Sequence, residues 1–332
     1  MNLICLETAL QKEPAYRLTQ AREAIFTELV NSWDEALGLP LKLREKLSAE
    51  CPIKINGEVF EAENFETTKA LITLNDELKI ETVLMRHKDG RNTVCVSSQV
   101  GCPLGCIFCA TGTMGFKRNL TADEVVEQVL FFARRLKPSK EKVNNIVFMG
   151  MGEPFLNYDN VLSAVRILND EKGFNIGARK ISISTSGIIE GIERLTEENL
   201  QINLAISLHA SDNDTRSKLM PINKKYPLEE VLKTVDFYIK KTSRQVMFEY
   251  LLLNGINDSE KDARKLIKLM RKPLHLVNLI IYNPTDKENL SPSSPQTAKN
   301  FKATLEKSGV QATIRHHFGG DIKAACGQLI AK

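Results

Sequence analysis

Hydrophobic and polar positions change rhythm three times along the chain. From 16 to 48, apolar residues recur at helical intervals: Ala21, Ile25 and Phe26, then Trp33 and Leu37, and after a break at 38–40, Leu43 and Leu47. Residues three and four apart share one helix face, so this stretch predicts a small helical unit. From 54 to 96 the texture is that of strands, with runs at 68–74 and 80–85 and a hairpin-type turn at His87-Lys88-Asp89-Gly90. Thr121 followed by Glu124 has the form of a capping box opening a helix to about Leu136. Apolar runs then recur at 146–149, 181–184, 202–208, 246–253 and 277–282, each followed by helical texture.

Such alternation predicts parallel strands covered by helices. Counting the strand that ends near 96, about six βα units are expected, too few to close an eight-stranded barrel. The expected fold class is therefore α/β, an open, partial TIM-like barrel with a small N-terminal helical and β appendage and a C-terminal tail. The expected division is an accessory helical domain at 1–50, a β-hairpin connector at 51–94, the core at 95–318 and a tail at 319–332 that follows a last strand near 311–315. Residues just after strands are then the ones expected to form the site.

Composition narrows the class only a little. A chain of 332 residues can bury one large domain and an appendage. Forty-five basic against 41 acidic residues give a net charge of +4, which permits a nucleic-acid partner without requiring one. Arg118, Lys224, Lys225, Arg244 and Arg315 are candidates for holding the phosphates of such a partner. The N-terminal residues lack the basic and apolar regions of a signal peptide, and no run approaches the ~20 apolar residues of a membrane span, so a cytoplasmic protein without a membrane partner is expected. Seven cysteines, three clustered and the others scattered at 5, 51, 95 and 326, do not resemble the framework of a secreted fold and suit a reducing compartment.

The clustered thiols carry the strongest chemical signal. Cys102, Cys106 and Cys109 lie in a loop with Gly101, Pro103 and Gly105, which let the chain curl so that three sulfurs face inward. Structural zinc takes four protein ligands, commonly as two separated pairs, and no second pair follows. An iron–sulfur cube takes four ligands, so three thiolates leave one iron open for another molecule. Strand-end segments add polar groups: Gly150, Gly152 and Glu153 after the second core strand, Ser184 to Gly187 after the third, Ser207 to Ala210 with His209 after the fourth, and Asn283 after the last.

These segments together resemble the RlmN/Cfr family of radical S-adenosylmethionine (SAM) RNA methyltransferases. The resemblance rests on the C-x3-C-x2-C loop, Glu81-Thr82-Val83, the run from Cys95 to Cys102, GFKRNL at 115–120, FMGMGEP at 148–154, STSG at 184–187, SLH at 207–209, LMPIN at 219–223 and AACGQL at 324–329. It implies that Cys102, Cys106 and Cys109 hold a [4Fe-4S] cluster and that Gly152, Glu153, Ser184, Ser207, Leu208, His209 and Asn283 contact SAM. It implies also that Glu81 accepts a proton, that Cys326 is methylated by one SAM while a second yields a deoxyadenosyl radical, and that Cys95 resolves the adduct by forming a disulfide with Cys326. Gly319, Gly320 and Gly327 are expected to give Cys326 mobility. The implied partners are adenine 2503 of 23S rRNA, transfer RNA in some members, and an electron donor such as flavodoxin or ferredoxin, acting on a monomer. Within the family, Pro154, the 115–116 pair and the run from Leu204 to Ala210 point to methylation at adenine C2, the RlmN type. Ala110-Thr111-Gly112 and IRHHFGGD at 314–321 lean to C8, the Cfr type. C2 is the expectation. The competing classes are a non-catalytic metal-bearing RNA-binding protein and another radical SAM enzyme.

Overall fold

The structure, a computed structural model, describes residues 3–285, 289–316 and 318–331. Three helices open it: α1 (Leu3–Leu10), α2 (Tyr16–Phe26) and α3 (Leu41–Glu50). Trp33 anchors this unit, buried to 1% exposure and donating its indole N–H to the Cys51 carbonyl oxygen at 2.7 Å. A large ring with one polar group is stable inside when that group finds an acceptor. The helical expectation for 16–48 holds for α2 and α3, but the segment between them is a 3-10 turn at Trp33–Glu35, and Leu37 points to solvent at 78% exposure. Another departure is a disulfide between Cys5 and Cys51, which the scattered cysteine pattern did not announce. The helix fold brings the first and last elements of the unit together, and 46 residues of separation hide that in the sequence.

The strands β1 (Asn56–Glu61), β2 (Thr67–Thr73), β3 (Lys79–Arg86) and β4 (Asn92–Cys95) form an antiparallel meander. The chain then makes a two-stranded ribbon, β5 (Gln99–Gly101) with β6 (Phe116–Asn119), before α4 (Ala122–Leu136). Thr121 caps α4 with the expected capping box, its side chain accepting from Glu124 N–H while Glu124 reaches back, an arrangement that stabilises a helix by about 1 kcal/mol. Strand and helix then alternate: β7 (Asn145–Phe148), α5 (Tyr158–Asn169), β8 (Ile181–Thr185), α6 (Ile189–Glu197), β9 (Asn203–Ser207), α7 (Asn213–Leu219), α8 (Leu228–Thr242), β10 (Val246–Leu252), α9 (Glu260–Met270), β11 (His275–Ile281), α10 (Pro295–Lys307) and β12 (Gln311–Ile314).

All these strands except the ribbon belong to one ten-stranded sheet in the order β1-β2-β3-β4-β7-β8-β9-β10-β11-β12. Every pairing from β4 to β12 is parallel, and the two ends of the sheet do not pair. This is the expected open barrel, with β12 adding a parallel strand beyond the six βα units. The faces of its strands differ. In β8, Ile181, Ile183 and Thr185 are buried while Ser182 and Ser184 are only partly covered; in β7, Ile146 and Phe148 are buried while Asn145 and Val147 are not fully so. The apolar face meets the helices. The other, small and polar, cannot fill the barrel interior as the layered branched side chains of a closed barrel do.

Candidate active site

The loop bearing the three thiols is clamped at both ends by the β5–β6 ribbon, where Cys102 N–H donates to the Gly115 carbonyl oxygen at 3.0 Å. At Gly101 φ is +77°, and a β-carbon there would stand 1.8 Å from that oxygen, so no other residue fits. Ile107 N–H donates to the Leu219 carbonyl oxygen, tying the loop's middle to the LMPIN segment. Cys102, Cys106 and Cys109 are free thiols lining one cavity. Burial pushes the Cys102 thiol up to about 12 and Cys106 higher still. Such thiols stay protonated in neutral water until a metal centre takes the proton's place.

The far wall of this upper cavity consists of strand ends. Gly150, Gly152 and Glu153 follow β7, Ser184 and Ser186 end β8, Ser207 and His209 end β9, and Glu249 comes from β10. Glu153 is buried; one oxygen accepts from Phe155 N–H at 3.0 Å and the other from the Ser186 N–H and hydroxyl at 2.8 and 2.7 Å. Burial raises its pKa, and the hydrogen bonds oppose that rise. His209 sits at φ +56° with Phe108 edge-on at 4.8 Å. Its Nδ1 accepts from Leu251 N–H at 3.1 Å, so the neutral ring carries its proton on Nε2. Burial, with Arg216's charge second, pushes His209 down to about 3.

Arg216 organises these ends. Fully buried, it donates to the carbonyl oxygens of Ser186 (2.6 Å), Ser207 (3.1 Å) and Leu208 (3.1 Å) and to Asn223 Oδ1 at 2.8 Å. One guanidinium thus joins the segments after β8 and β9 to the turn after α7.

The C-terminal tail crosses the mouth and is docked there by hydrogen bonds along 326–330. Ala110 N–H donates to the Gly327 carbonyl oxygen (2.7 Å), Thr111 Oγ1 to Leu329 (2.7 Å), Asn283 Nδ2 to Cys326 (3.0 Å), Gln328 Nε2 to Pro284 (2.8 Å), and Ile330 N–H to Glu81 Oε2 (2.9 Å). Gly327, at φ +85°, and Gly319, at φ +61° with Thr67 and Ala324 under 3 Å from a built β-carbon, are required for this docked path rather than for looseness. Cys326 lines the upper cavity and also a second, lower chamber that runs down the barrel interior past Cys95, Val147, Ser182 and Asn203 to Arg179 and Lys180. It is exposed, unlike the buried Cys95. Cys95 and Cys326 are both free thiols; burial pushes Cys95 up to about 12.

Residues 96–267 match the family model for the Radical SAM superfamily. Among solved proteins the fold matches a radical SAM methyltransferase from Sphaerobacter thermophilus with a TM-score of 0.96 at 44% identity, covering 100% of this chain and 98% of that one. A protein of Dictyoglomus turgidum named "Probable dual-specificity RNA methyltransferase RlmN" is 47% identical over 320 residues, 96% of this chain and 91% of the relative. "Ribosomal RNA large subunit methyltransferase Cfr" of Clostridium botulinum (strain Okra / Type B1) is 44% identical over 325 residues, 96% and 93%. The chain belongs to the RlmN/Cfr family of radical SAM methyltransferases.

Membership in this family implies a [4Fe-4S] cluster and SAM. The donor set fits: three free thiols share one cavity, yet among the described residues no three His, Cys, Asp or Glu gather as a single-ion site. Three thiolates would leave one corner of a cube open, whereas a structural zinc ion takes four protein ligands.

The RlmN/Cfr residues expected from the sequence fall in different places. Gly152, Glu153, Ser184, Ser207 and His209 line the upper cavity. Leu208 does not; its side chain is in the core and its N–H donates to the Glu249 carbonyl oxygen. Asn283 lines the lower chamber and holds the Cys326 carbonyl. Glu81 lines neither; its carboxylate is 2.9 Å from Lys69 Nζ and grips the tail at Ile330. Three of the RNA-binding candidates are engaged. Arg118 pairs with Asp76 and Glu124, Arg244 donates to Asn203, and Arg315 lies inside, 3.3 Å from Glu249. Carboxylates partly neutralise Arg118 and Arg315, whereas Arg244 meets only a neutral amide. In IRHHFGGD, His317 lies outside the described residues. Glu249 and Arg216 were missed. Glu249 interrupts an otherwise apolar strand run, and a carboxylate in that position was the available signal.

Proposed function

We propose that this chain methylates C2 of adenine 2503 in 23S rRNA, with Cys326 as methylene carrier. The observation that carries the reading is the position of Cys326, shared by a cavity that holds the three loop thiols and a chamber that holds Cys95. In this reading Cys102, Cys106 and Cys109 hold the cluster, and Gly152, Glu153, Ser184, Ser207, Leu208, His209 and Asn283 surround SAM, Leu208 through its backbone. Held by Cys102, Cys106 and Cys109, such a cluster would supply the electron for reductive cleavage of SAM.

The chain's own groups do the rest. Glu153, fixed by Phe155 and Ser186, offers acceptor capacity to an ammonium, and neutral His209 offers an Nε2 donor. Cys326 sulfur takes a methyl group from one SAM and loses its proton; a second SAM removes a hydrogen atom from that methyl. The resulting carbon would add to the ring, Glu81 would take the proton leaving the ring carbon, and Cys95, losing its proton, would attack the Cys326 sulfur, so that a disulfide forms as the carbon–sulfur bond breaks, the released carbon takes up a proton to become the methyl group, and the surplus electron of the adduct passes back to the oxidised cluster. Lys69 offsets the charge of Glu81. The reading also includes two SAM per turnover, transfer RNA as second substrate, an electron donor such as flavodoxin or ferredoxin, a cytoplasmic monomer, and the division at 50, 94 and 318. The name "dual-specificity" borne by relatives supports the second substrate.

The test is nuclease digestion of rRNA modified by this protein, followed by chromatography against 2-methyl- and 8-methyladenosine. A dominant 2-methyl peak is expected. A dominant 8-methyl peak, together with cellular resistance to peptidyl-transferase antibiotics, overturns C2 in favour of the Cfr-type reaction.

A further inference from the structure

Behind Cys326 the lower chamber has a composition unlike that of the upper cavity. Its described lining contains no Asp or Glu, but Arg91, Arg179, Lys180 and Arg315. Arg179 and Lys180 stand exposed just before β8, at the end of the barrel opposite the thiol loop. Neither is in an ion pair with a described residue; Arg179 Nε donates only to the neutral Gln201 amide, at 2.9 Å. They differ in this from Arg118, which two carboxylates neutralise.

Three rings gather at the same chamber. Phe318 is half-buried between His87, with centroids 5.1 Å apart and planes at 74°, and His316, at 4.7 Å and 85°. Inward from them, Ser182 and Asn145 offer short polar side chains, and the chamber ends at Cys95 and Cys326. Unneutralised cations at a rim, aromatic rings beside them and small polar groups further in are what an unstacked nucleotide needs: charge for phosphate, a surface for stacking, and partners for base edges.

We infer that RNA enters from the N-terminal ends of the barrel strands, with Arg179 and Lys180 holding backbone phosphates and Phe318 serving as a stacking platform that guides the target base to Cys326. The inference rests on the proposed methyl transfer to RNA and adds its route. SAM and RNA then approach the same sulfur from opposite sides, so neither blocks the other. A paired base in a duplex cannot enter such a chamber, which selects a base that is unstacked or flipped.

The test is anisotropy of a labelled RNA hairpin carrying the target adenine, titrated with anaerobic holoenzyme over a series of salt concentrations. Phe318→Ala is expected to weaken binding about tenfold, and Phe318→Trp to keep it within about twofold, because a larger ring preserves stacking. The double variant Arg179→Gln, Lys180→Gln is expected to lower the slope of log affinity against log salt by about 1.4, two single-strand phosphate contacts. Lys240→Gln, on the exposed face of α8, should leave the slope unchanged. Unaltered affinity and slope in the Phe318→Ala and Arg179/Lys180 variants overturn the route, and a Phe318→Trp loss equal to that of Phe318→Ala overturns the stacking role. These readouts need no turnover. Retained methyl transfer by Cys326→Ala instead sinks the carrier reading and leaves the binding result standing.

Discussion

The spaces on the two sides of Cys326 are built from the same strands and carry opposite chemistry. Above it, Glu153 and Glu249 face three thiols; below it, Arg179, Lys180 and two imidazoles line a chamber with no described acid. The contrast comes from position along each strand. In β8 the inward residues are Ser182 near one end and Ser184 near the other; the upper space takes its charge from Glu153 after β7 and Glu249 within β10, the lower one from Arg179 and Lys180 just before β8. A barrel left open can thus hold two sites on one inward face, where a closed barrel would fill it.

The largest effect that could break this comparison is loss of the upper site alone. Cys106→Ala should abolish the brown iron–sulfur absorption band and SAM cleavage in anaerobically reconstituted protein, while RNA affinity stays within about threefold, because no phosphate contact is lost. Iron content, deoxyadenosine yield and anisotropy check it; full SAM cleavage by the variant would show the three-thiol assignment to be wrong.

Separating the two thiols that meet at the junction should give unlike outcomes. Cys326→Ala should never gain a methyl group on the protein, whereas Cys95→Ala should accumulate a covalent RNA–protein adduct through Cys326, visible as a shifted band and by mass spectrometry. Slow but complete turnover by both would break the two-thiol scheme.

A smaller effect concerns the wall between the spaces. Arg315→Met leaves the carboxylate of Glu249, 4% exposed in its side chain, without its cation, and should cost about 2 kcal/mol in urea unfolding. Adding Glu249→Gln should recover most of it, since the amide can still accept from Asn278, whose side chain now donates to Glu249 Oε1 at 3.0 Å. Additive losses would mean that the two residues do not act as a pair.

The smallest effect is kinetic. With Cys95 pushed up to about 12 by burial, its thiolate fraction at pH 8 is about one in ten thousand. Burial raises the Cys326 thiol as well, but Cys326 is exposed where Cys95 is buried, so iodoacetamide should modify Cys326 well before Cys95, and the Cys95 rate should rise about tenfold per pH unit between 8 and 9. Equal rates, followed by peptide mapping, would contradict the burial of Cys95.

Local patterns were legible where neighbours in sequence decide the outcome. The Thr121–Glu124 capping box needs only four consecutive residues, and the βα alternation needs only hydrophobic periodicity. The thiol loop was legible because its spacing is local too. The alternation in β8, where Ser182 and Ser184 face inward between buried Ile181, Ile183 and Thr185, was missed, since 181–184 reads only as an apolar run. What else failed depended on distant partners. Leu37 fits a helical pattern, yet the chain turns at Trp33–Glu35 and leaves it outside. Cys5 and Cys51 gave no sign of pairing because α1 and α3 lie between turns whose angles no local pattern specifies.

From sequence alone came the open barrel and the three thiols, which rest on periodicity and short spacing, and the family and the two further cysteines, which rest on the resemblance of motifs scattered from 81 to 329. Only the tertiary structure decided which charges are spent and which remain. Arg118 meets Asp76 and Glu124, Arg315 meets Glu249, and Arg216 disappears into the core to join two strand ends, whereas Arg179 and Lys180 keep their charge at an open chamber. A cation's usefulness to RNA depends on whether a carboxylate stands within ~4 Å, and that distance is set by folding across dozens of residues, not by the order in which the residues are joined.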